Sequence, residues 1–400
     1  MNNFLKTRGT EIIGTNGKPI ILKGVNVGGW LMMEAYIMCA PNFPEHLFKQ
    51  RFQKTLGTAA LKDFEKLFRE NFITEKDFAN IARQGFNCVR VPFNCRLVED
   101  RPYHYAKSGL ERLDTVLSWA RKYKIYVILD LHAAIGAQNH DWHGDSAGEA
   151  KLWTTGSYQK RTLALWKLLA NRYKDERWLA GYDLLNESVL DNTKLLNRFY
   201  KQVIKTIRSV DRNHILFIEG NKWATDIECL DCFDDDNYVL SIHSYEPLDI
   251  TFNFVPFLKY PTKQKNRVHN AVQIKKHLSK YHKISQERNV PVFLGEFGVN
   301  YREGHCGEDL WLNDMLKSIK AFGFHWTYWT YKSFKNGYFP DGIYSYYENP
   351  VWVNRCGPLS GWDTYHLHWK KHKSDIVRSW RTDQFRENTK VLKLLKQYAK

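Results

Sequence analysis

Eight short apolar runs constrain this chain more than any other feature, because most are separated by stretches whose apolar residues recur every three or four positions. The runs are Ile20–Asn26, Asn87–Val91, Ile125–Leu131, Leu179–Glu187, Ile215–Ile218, Tyr238–Ile242, Val292–Leu294 and Phe324–Tyr328. Runs without polar alternation read as strands covered on both faces, which are parallel strands. Between them, Thr74 reads as an N-cap, with Asp77 three residues on, for a helix burying Phe78, Ile81 and Ala82. Leu110, Leu113, Val116, Leu117 and Ala120 mark a second helix, Tyr158–Arg172 a third, and Leu196, Phe199, Val203 and Ile207 a fourth. Pro92 is expected to close the second strand. Eight strand–helix units predict an α/β fold, a (β/α)8 TIM barrel.

A chain of 400 residues has room for two or three domains, yet no linker or composition shift divides it. The expectation is one barrel domain over residues 1–400, with a basic helical segment at about 361–400 packed on it. The long segments Trp30–Ile73, Ala133–Ser157, Pro247–Asn289 and Lys332–Trp380 each follow the C-terminal end of a strand. All therefore fall on one face, where barrel active sites lie, and are expected to build a cleft there.

Composition narrows the class. Hydrophobic residues at 43% and charged residues at 26% are ordinary for a globular chain. Aromatics reach 15%, with 14 Trp and 22 Tyr, which serves either a large core or a cleft where flat rings stack on sugar faces. The net charge is +16, and residues 361–400 hold ten Lys/Arg against four Asp/Glu. Within that segment Val391, Leu394, Leu395 and Tyr398 recur at helical spacing, which reads as a surface helix with a basic outer face rather than a nucleic-acid site. Met1–Thr10 has no apolar core of a signal peptide, and no run reaches the ~20 apolar residues of a membrane span. The expectation is an intracellular protein if Met1 is the natural start, and a secreted one if a leader has been removed. Seven cysteines (Cys39, Cys88, Cys95, Cys229, Cys232, Cys306 and Cys356) are an odd number at scattered spacings, which fits a reducing compartment. Cys229–Cys232 has CxxC spacing but lacks the second pair a structural zinc site wants, so no metal or other cofactor is expected.

Two of the apolar runs end in glutamates, Glu187 and Glu296. A buried carboxylate without a partner is costly, so two at strand ends suggest a facing pair, the arrangement glycoside hydrolysis requires. Other polar residues sit at the same layer. Asn26 closes the first run, Arg90 precedes Pro92, and His132 follows the third run. Asn186 and Glu187 end the fourth, His243 and Tyr245 follow the sixth, and Trp329 follows the eighth. Singly, such a histidine is an ordinary hydrogen-bonded core residue and such an arginine an ion-pair partner. Seven strands doing this at one layer point to an active site. Arg90 and Tyr245 are expected to favour an ionised Glu296, while Glu187 has no evident cation and suits the acid.

Leu184-Leu-Asn-Glu187, Ile242-His-Ser-Tyr245 and Leu294-Gly-Glu-Phe297 resemble the acid/base, HxY and nucleophile motifs of glycoside hydrolase family 5, the cellulase family of clan A. Val89-Arg-Val-Pro92, Asp130-Leu-His132 and Trp326-Thr-Tyr-Trp329 resemble its other markers, so the likeness runs from about Gly24 to Lys332. The resemblance implies a retaining β-glycosidase working by double displacement on β-linked glucans or gluco-oligosaccharides. Glu187 would be the acid/base and Glu296 the nucleophile. Asn186 would bond the sugar 2-hydroxyl, Arg90 and Tyr245 would orient Glu296, and His132, His243 and Trp329 would line the subsite. Gly24-Val-Asn-Val-Gly-Gly-Trp-Leu-Met-Met-Glu34 and Asp130-Leu-His-Ala-Ala-Ile-Gly-Ala-Gln-Asn139 are similar to the exo-β-1,3-glucanase branch, which adds Glu34 and Asn139 as substrate-binding residues. Ile135 and Ser188 stand where that branch has prolines, and Trp142–Asp145 and Phe252–Tyr260 match nothing in it. A pocket ending at Glu34 would favour exo action, an open cleft endo action. A β-mannan-active relative is the alternative within the family. Outside it stand a non-catalytic carbohydrate-binding barrel, and a metal-dependent hydrolase gathering His132, His140, His143, His243 and His305. The partner expected is a β-linked oligo- or polysaccharide, with no nucleic acid and no membrane.

Overall fold

The computed structural model describes residues 4–264, 267–346 and 362–399. Eight parallel strands close into a barrel in sequence order: β1 (Lys23–Asn26), β2 (Cys88–Asn94), β3 (Tyr126–Ala133), β4 (Leu179–Asp183), β5 (Ile215–Glu219), β6 (Tyr238–His243), β7 (Val292–Glu296) and β8 (His325–Tyr328). β8 pairs back on β1 through Tyr328 and Val25. The expected (β/α)8 fold is present, and the four helices read from periodicity lie at Glu75–Arg83, Lys107–Tyr123, Gly156–Tyr173 and Thr193–Arg208. The Thr74 N–H donates to Asp77 Oδ2 at 2.7 Å, closing the first of these helices as its sequence implies.

Alternation along the strands sorts the barrel interior into layers. Cys88, Ile128, Phe217 and Val239 belong to an apolar plug separate from the helix-facing core. Two residues further along the same strands stand Arg90, Asp130, Glu219 and Ser241, all fully buried. The polar layer therefore sits directly above the plug, toward the C-terminal ends of the strands.

Two strand boundaries differ from expectation. β2 runs through Pro92 to Asn94. The N–H of Asn94 bonds Leu31 beyond the end of the β1 ladder, so the donor missing at Pro92 faces a stretch where β1 no longer pairs. β4 stops at Asp183, and Glu187 lies four residues past it at φ 48°, not on the strand.

Two expected loops are largely helical. Trp30–Ile73 holds helices Glu45–Leu56 and Thr58–Asn71, and Pro247–Asn289 holds Ala271–Arg288. Phe48, Phe52, Phe64 and Phe68 form an apolar stripe on the first two. The helix Tyr365–Ser379 packs on that stripe, with Trp369 5.4 Å from Phe64 and Trp380 5.1 Å from Phe68. Lys332, 1% exposed, joins these parts. Its Nζ donates to the carbonyls of Phe72 and Trp380 and to Thr382 Oγ1, between the rings of Phe72 and Phe385. The last helix, Thr389–Ala399, leaves Lys393 and Lys396 outward and buries Val391 and Leu395 of the expected stripe together with Leu392, while Leu394 and Tyr398 are half-buried. Cys356 and residues 347–361 lie outside the described residues. No helix among the described residues is long and apolar enough to cross a membrane.

Candidate active site

Arg90 is the fixed point of the site. Its guanidinium is fully buried and meets four carboxylates: Asp130 at 3.1 Å, Asp183 at 2.9 Å, Glu219 at 3.0 Å and Glu296 at 2.7 Å. It also donates to Asn26 Oδ1 at 3.2 Å and Asn186 Oδ1 at 2.9 Å. Four carboxylates around one cation cannot all ionise cheaply. Burial and the charge of Glu219 push the Asp183 carboxyl well above its usual range, against the pull of Arg90.

Glu296 ends β7 with both oxygens tied, Oε1 to Arg90 and Oε2 to the Tyr245 hydroxyl at 2.7 Å. The carboxylate of Glu187 meets two histidines. His243 Nδ1 lies 2.7 Å from Oε1 and His143 Nε2 lies 2.9 Å from Oε2. Oxygen atoms of the two glutamates and a ring nitrogen of His243 lie within 4.8 Å of one another. That spacing is near the about 5–5.5 Å of retaining glycosidases and short of the wider gap an inverting water needs.

The electrostatics reverse one expectation. Burial raises the Glu187 carboxyl, but the donors and charge of His143 and His243 outweigh it and hold it well below the carboxylate range. Glu296 is raised, because burial outweighs His243 and Arg90 and the charge of Glu187 adds to it. The sequence pairs Arg90 with Glu296 correctly, but offers no hint that two histidines from distant segments converge on Glu187.

A cavity of about 1040 Å³ opens over this pair. Of the residues singled out from the sequence, Glu34, His132, Glu187, His243, Tyr245, Glu296 and Trp329 line it. Glu34 is 3% exposed, with Oε1 3.3 Å from His132 Nε2. His132 stacks on Trp329 at 5.5 Å between ring centroids and is held on Asp130 at 2.7 Å. Burial lowers the His132 imidazole, but Asp130 and Glu34 outweigh it and raise it to about 10. Arg90, Asn139 and Asn186 stand behind the lining rather than in it. Asn139 donates its Nδ2 to the backbone carbonyl of Glu187 at 2.9 Å, so it shapes the turn that carries the glutamate. Asn186 keeps a buried Nδ2 with no partner among the described residues, a donor available to a ligand.

Several residues escaped the sequence reading. Glu219 bonds Arg90, accepts the Glu187 N–H at 2.6 Å and lies 3.2 Å from His243 Nε2. It ends an apolar run as Glu296 does, one residue past where the run was taken to stop. Tyr36, Trp142, Phe252, Phe254 and Phe339 form an aromatic wall, with Tyr36 5.1 Å and Phe252 5.2 Å from Phe339. The two unassigned stretches supply most of it. Trp142-His-Gly-Asp145 forms a turn whose Asp145 accepts from Asn94 Nδ2 at 3.1 Å and Arg96 Nε at 2.9 Å, with His46 Nδ1 at 2.8 Å. The same Asn94 amide donates to Glu45 Oε2 at 3.1 Å, and Glu45 accepts the Met33 N–H at 3.0 Å. This network ties the segment holding Glu34 to the turn holding His143.

The histidine set of a metal hydrolase is not gathered, because His140 and His305 are exposed. Cys229 and Cys232 join no group of metal-ligating side chains among the described residues.

Comparison with known proteins agrees with this geometry. The family model "Cellulase (glycosyl hydrolase family 5)" matches residues 51–335. A protein named beta-xylosidase from Phanerodontia chrysosporium is 32% identical over 344 residues, covering 82% of this chain and 71% of the relative. Endoglucanase C of Acetivibrio thermocellus is 28% identical over 302 residues, covering 67% and 87%. Among solved structures, Thermotoga maritima Cel5A with cellobiose, in mutant form, superposes with a TM-score of 0.63 at 18% identity, covering 94% of this chain and 96% of that one, a likeness of fold. The chain belongs to glycosyl hydrolase family 5, the cellulase family, and is a retaining β-glycoside hydrolase.

Proposed function

We propose that this enzyme removes sugar units from the non-reducing ends of β-linked gluco-oligosaccharides, with Glu296 as nucleophile and Glu187 as acid/base. Glu296 attacks the anomeric carbon while Glu187 gives a proton to the departing glycosidic oxygen, leaving a glycosyl ester on Glu296. Water then gives a proton to Glu187 and its oxygen displaces Glu296, so configuration is retained. Arg90 and Tyr245 fix both oxygens of the nucleophile, which supports that role. Asn186 offers its unpaired Nδ2 to the 2-hydroxyl.

The observation that carries the exo reading is Glu34, a buried carboxylate lining the cavity beside the aromatic wall of Tyr36, Trp142 and Phe339. A carboxylate among rings suits the hydroxyls of a terminal sugar, which the interior of a polymer cannot bring there. Trp329 supplies the flat face beneath. Trp223, 41% exposed at the cavity and held by Asp141 at 2.7 Å, suits the leaving-group side.

The test is a product time course on laminarin, cellooligosaccharides, mixed-linkage glucan, mannan and aryl β-glucoside and β-xyloside. Monosaccharide as the first product supports the proposal, and a ladder of internal fragments overturns it. The likeness to a beta-xylosidase makes the xyloside a needed arm, because a xylose ring lacks the hydroxymethyl group that the wall would have to accommodate. Mannan makes a separate demand, because its axial 2-hydroxyl meets Asn186 differently. For the roles, Glu296→Gly with azide is expected to yield the inverted glycosyl azide, and no rescue would count against Glu296 as nucleophile.

A further inference from the structure

Glu187 poses a difficulty for any acid step. Its Oε1 faces His243 Nδ1 and its Oε2 faces His143 Nε2, so two imidazoles bracket the carboxylate and favour its ionised form. The acid step needs a proton on this carboxyl, and Oε2 is the oxygen that does not face His243. The nearest group able to carry one is His143.

The surroundings of His143 suit that duty. It sits on the short turn Trp142–Gly144, and its side chain is 17% exposed at the cavity, against 1% for His243. The Trp142 ring centroid lies 5.5 Å from its own, and Asn139 Nδ2, 3.2 Å from Nε2, is placed to donate to that nitrogen once it has lost its proton. The charges that face it are mostly acidic: Asp141 on its own segment, Glu34 from the segment after β1, and Glu187 after β4. His243 stands on the far side of Glu187, and Lys222 lines the same cavity from the segment after β5. Burial disfavours the imidazolium, but Glu187, Glu34 and Asp141 outweigh it and raise His143 above the usual histidine range. Of the two Glu187 oxygens, Oε2 is the one whose neighbour is partly exposed at the cavity, so it is the one a ligand can approach by displacing His143. His243, closed in and set against Glu219, has no such exit.

We propose that His143 is a positioning residue for the acid step: it holds the catalytic proton in the empty site and passes it to Glu187 Oε2 as the leaving-group oxygen arrives. This rests on the reading of Glu187 as acid/base. The proton leaves Nε2, which keeps the electron pair of the N–H bond as a lone pair, and binds Oε2, making a neutral carboxylic acid. That acid protonates the glycosidic oxygen as the C1–O bond breaks and the Glu296 ester forms. In the second half, the water that attacks C1 gives its proton to Glu187, the ester C–O bond breaks, and the proton returns to Nε2 when the sugar leaves. Each turnover consumes one water and returns the site to its first protonation state.

The test compares His143→Ala and His143→Gln with wild type in pH profiles of kcat/KM, on an alkyl β-glycoside and on a 2,4-dinitrophenyl β-glycoside. Glutamine keeps an N–H donor to Oε2 but carries no titratable proton. If His143 stores the proton, both variants move the alkaline limb to lower pH by about one unit or more, because the proton must then reside on Glu187 alone. Both lose about tenfold or more on the alkyl substrate and little on the activated one, which leaves without an acid. If His143 merely depresses Glu187, its removal moves the limb to higher pH, and that result overturns the proposal. So does an unmoved limb, or a glutamine variant with the wild-type profile. Glu187→Ala separates the two readings. If it loses the alkyl substrate and yields the retained azide, an unmoved limb removes the His143 proposal alone. If it keeps full rate on the alkyl substrate, the acid/base reading falls and this proposal with it.

Discussion

At the scale of single residues, Arg90 does more than orient a nucleophile. A buried cation with four carboxylates is neutralised by its neighbours, and those neighbours depend on it equally. Arg90→Met is therefore expected to cost about 3–5 kcal/mol in urea unfolding as well as activity, because it strands buried acids without a partner. A loss of activity with an unchanged unfolding midpoint would show the acids to be indifferent to it. His132 gives a pH dependence. Its folded pKa, about 10, lies above the ordinary histidine value of 6.5, so the folded state binds the extra proton between them. The stabilisation from its charge is complete below about pH 6.5 and is lost as pH rises toward 10. The melting temperature is expected to fall over that window, and His132→Asn to flatten the fall. Arg90 and Glu296 were legible in the sequence because each sits at the end of an apolar run. His143 was not, because an irregular turn has no period, and its meeting with Glu187 depends on where β4 and its following turn deliver that residue.

At the scale of elements, the alternation of strands and helices was readable because burial on both faces leaves continuous apolar runs. The helices Glu45–Leu56 and Thr58–Asn71 were not, because their stripes face a C-terminal helix rather than the barrel. Nothing local announces such a partner. Lys332 marks the seam between them. Lys332→Met leaves the carbonyls of Phe72 and Trp380 without that donor and is expected to cost about 1–3 kcal/mol for each one left buried and unpaired. Hydrogen exchange is expected to quicken first in residues 365–399. The pH sign is opposite to that of His132. Burial lowers this lysine to about 8, so the unfolded chain binds more protons between about 8 and 10.5, and stability attributable to it rises with pH across that window. A variant whose exchange in 365–399 matches wild type would show that the lysine does not hold the seam.

At the scale of the whole molecule, the chemistry is assigned to carboxylates, so EDTA is expected to leave the rate unchanged. The barrel strands and their ends supply Arg90, Glu187 and Glu296, and the segments above them supply most of the cavity wall. Those segments are not interchangeable parts. Asn94 donates to both Glu45 and Asp145, so the end of the pocket and the partner of the acid hang on one side chain. A designer who transplants the Trp142–Asp145 turn alone into a related barrel would import a buried acid without its Asn94, Arg96 and His46 neighbours. The segment carrying Glu34 and the turn carrying His143 therefore travel as a single cassette, and an exchange that preserves either will have to carry both.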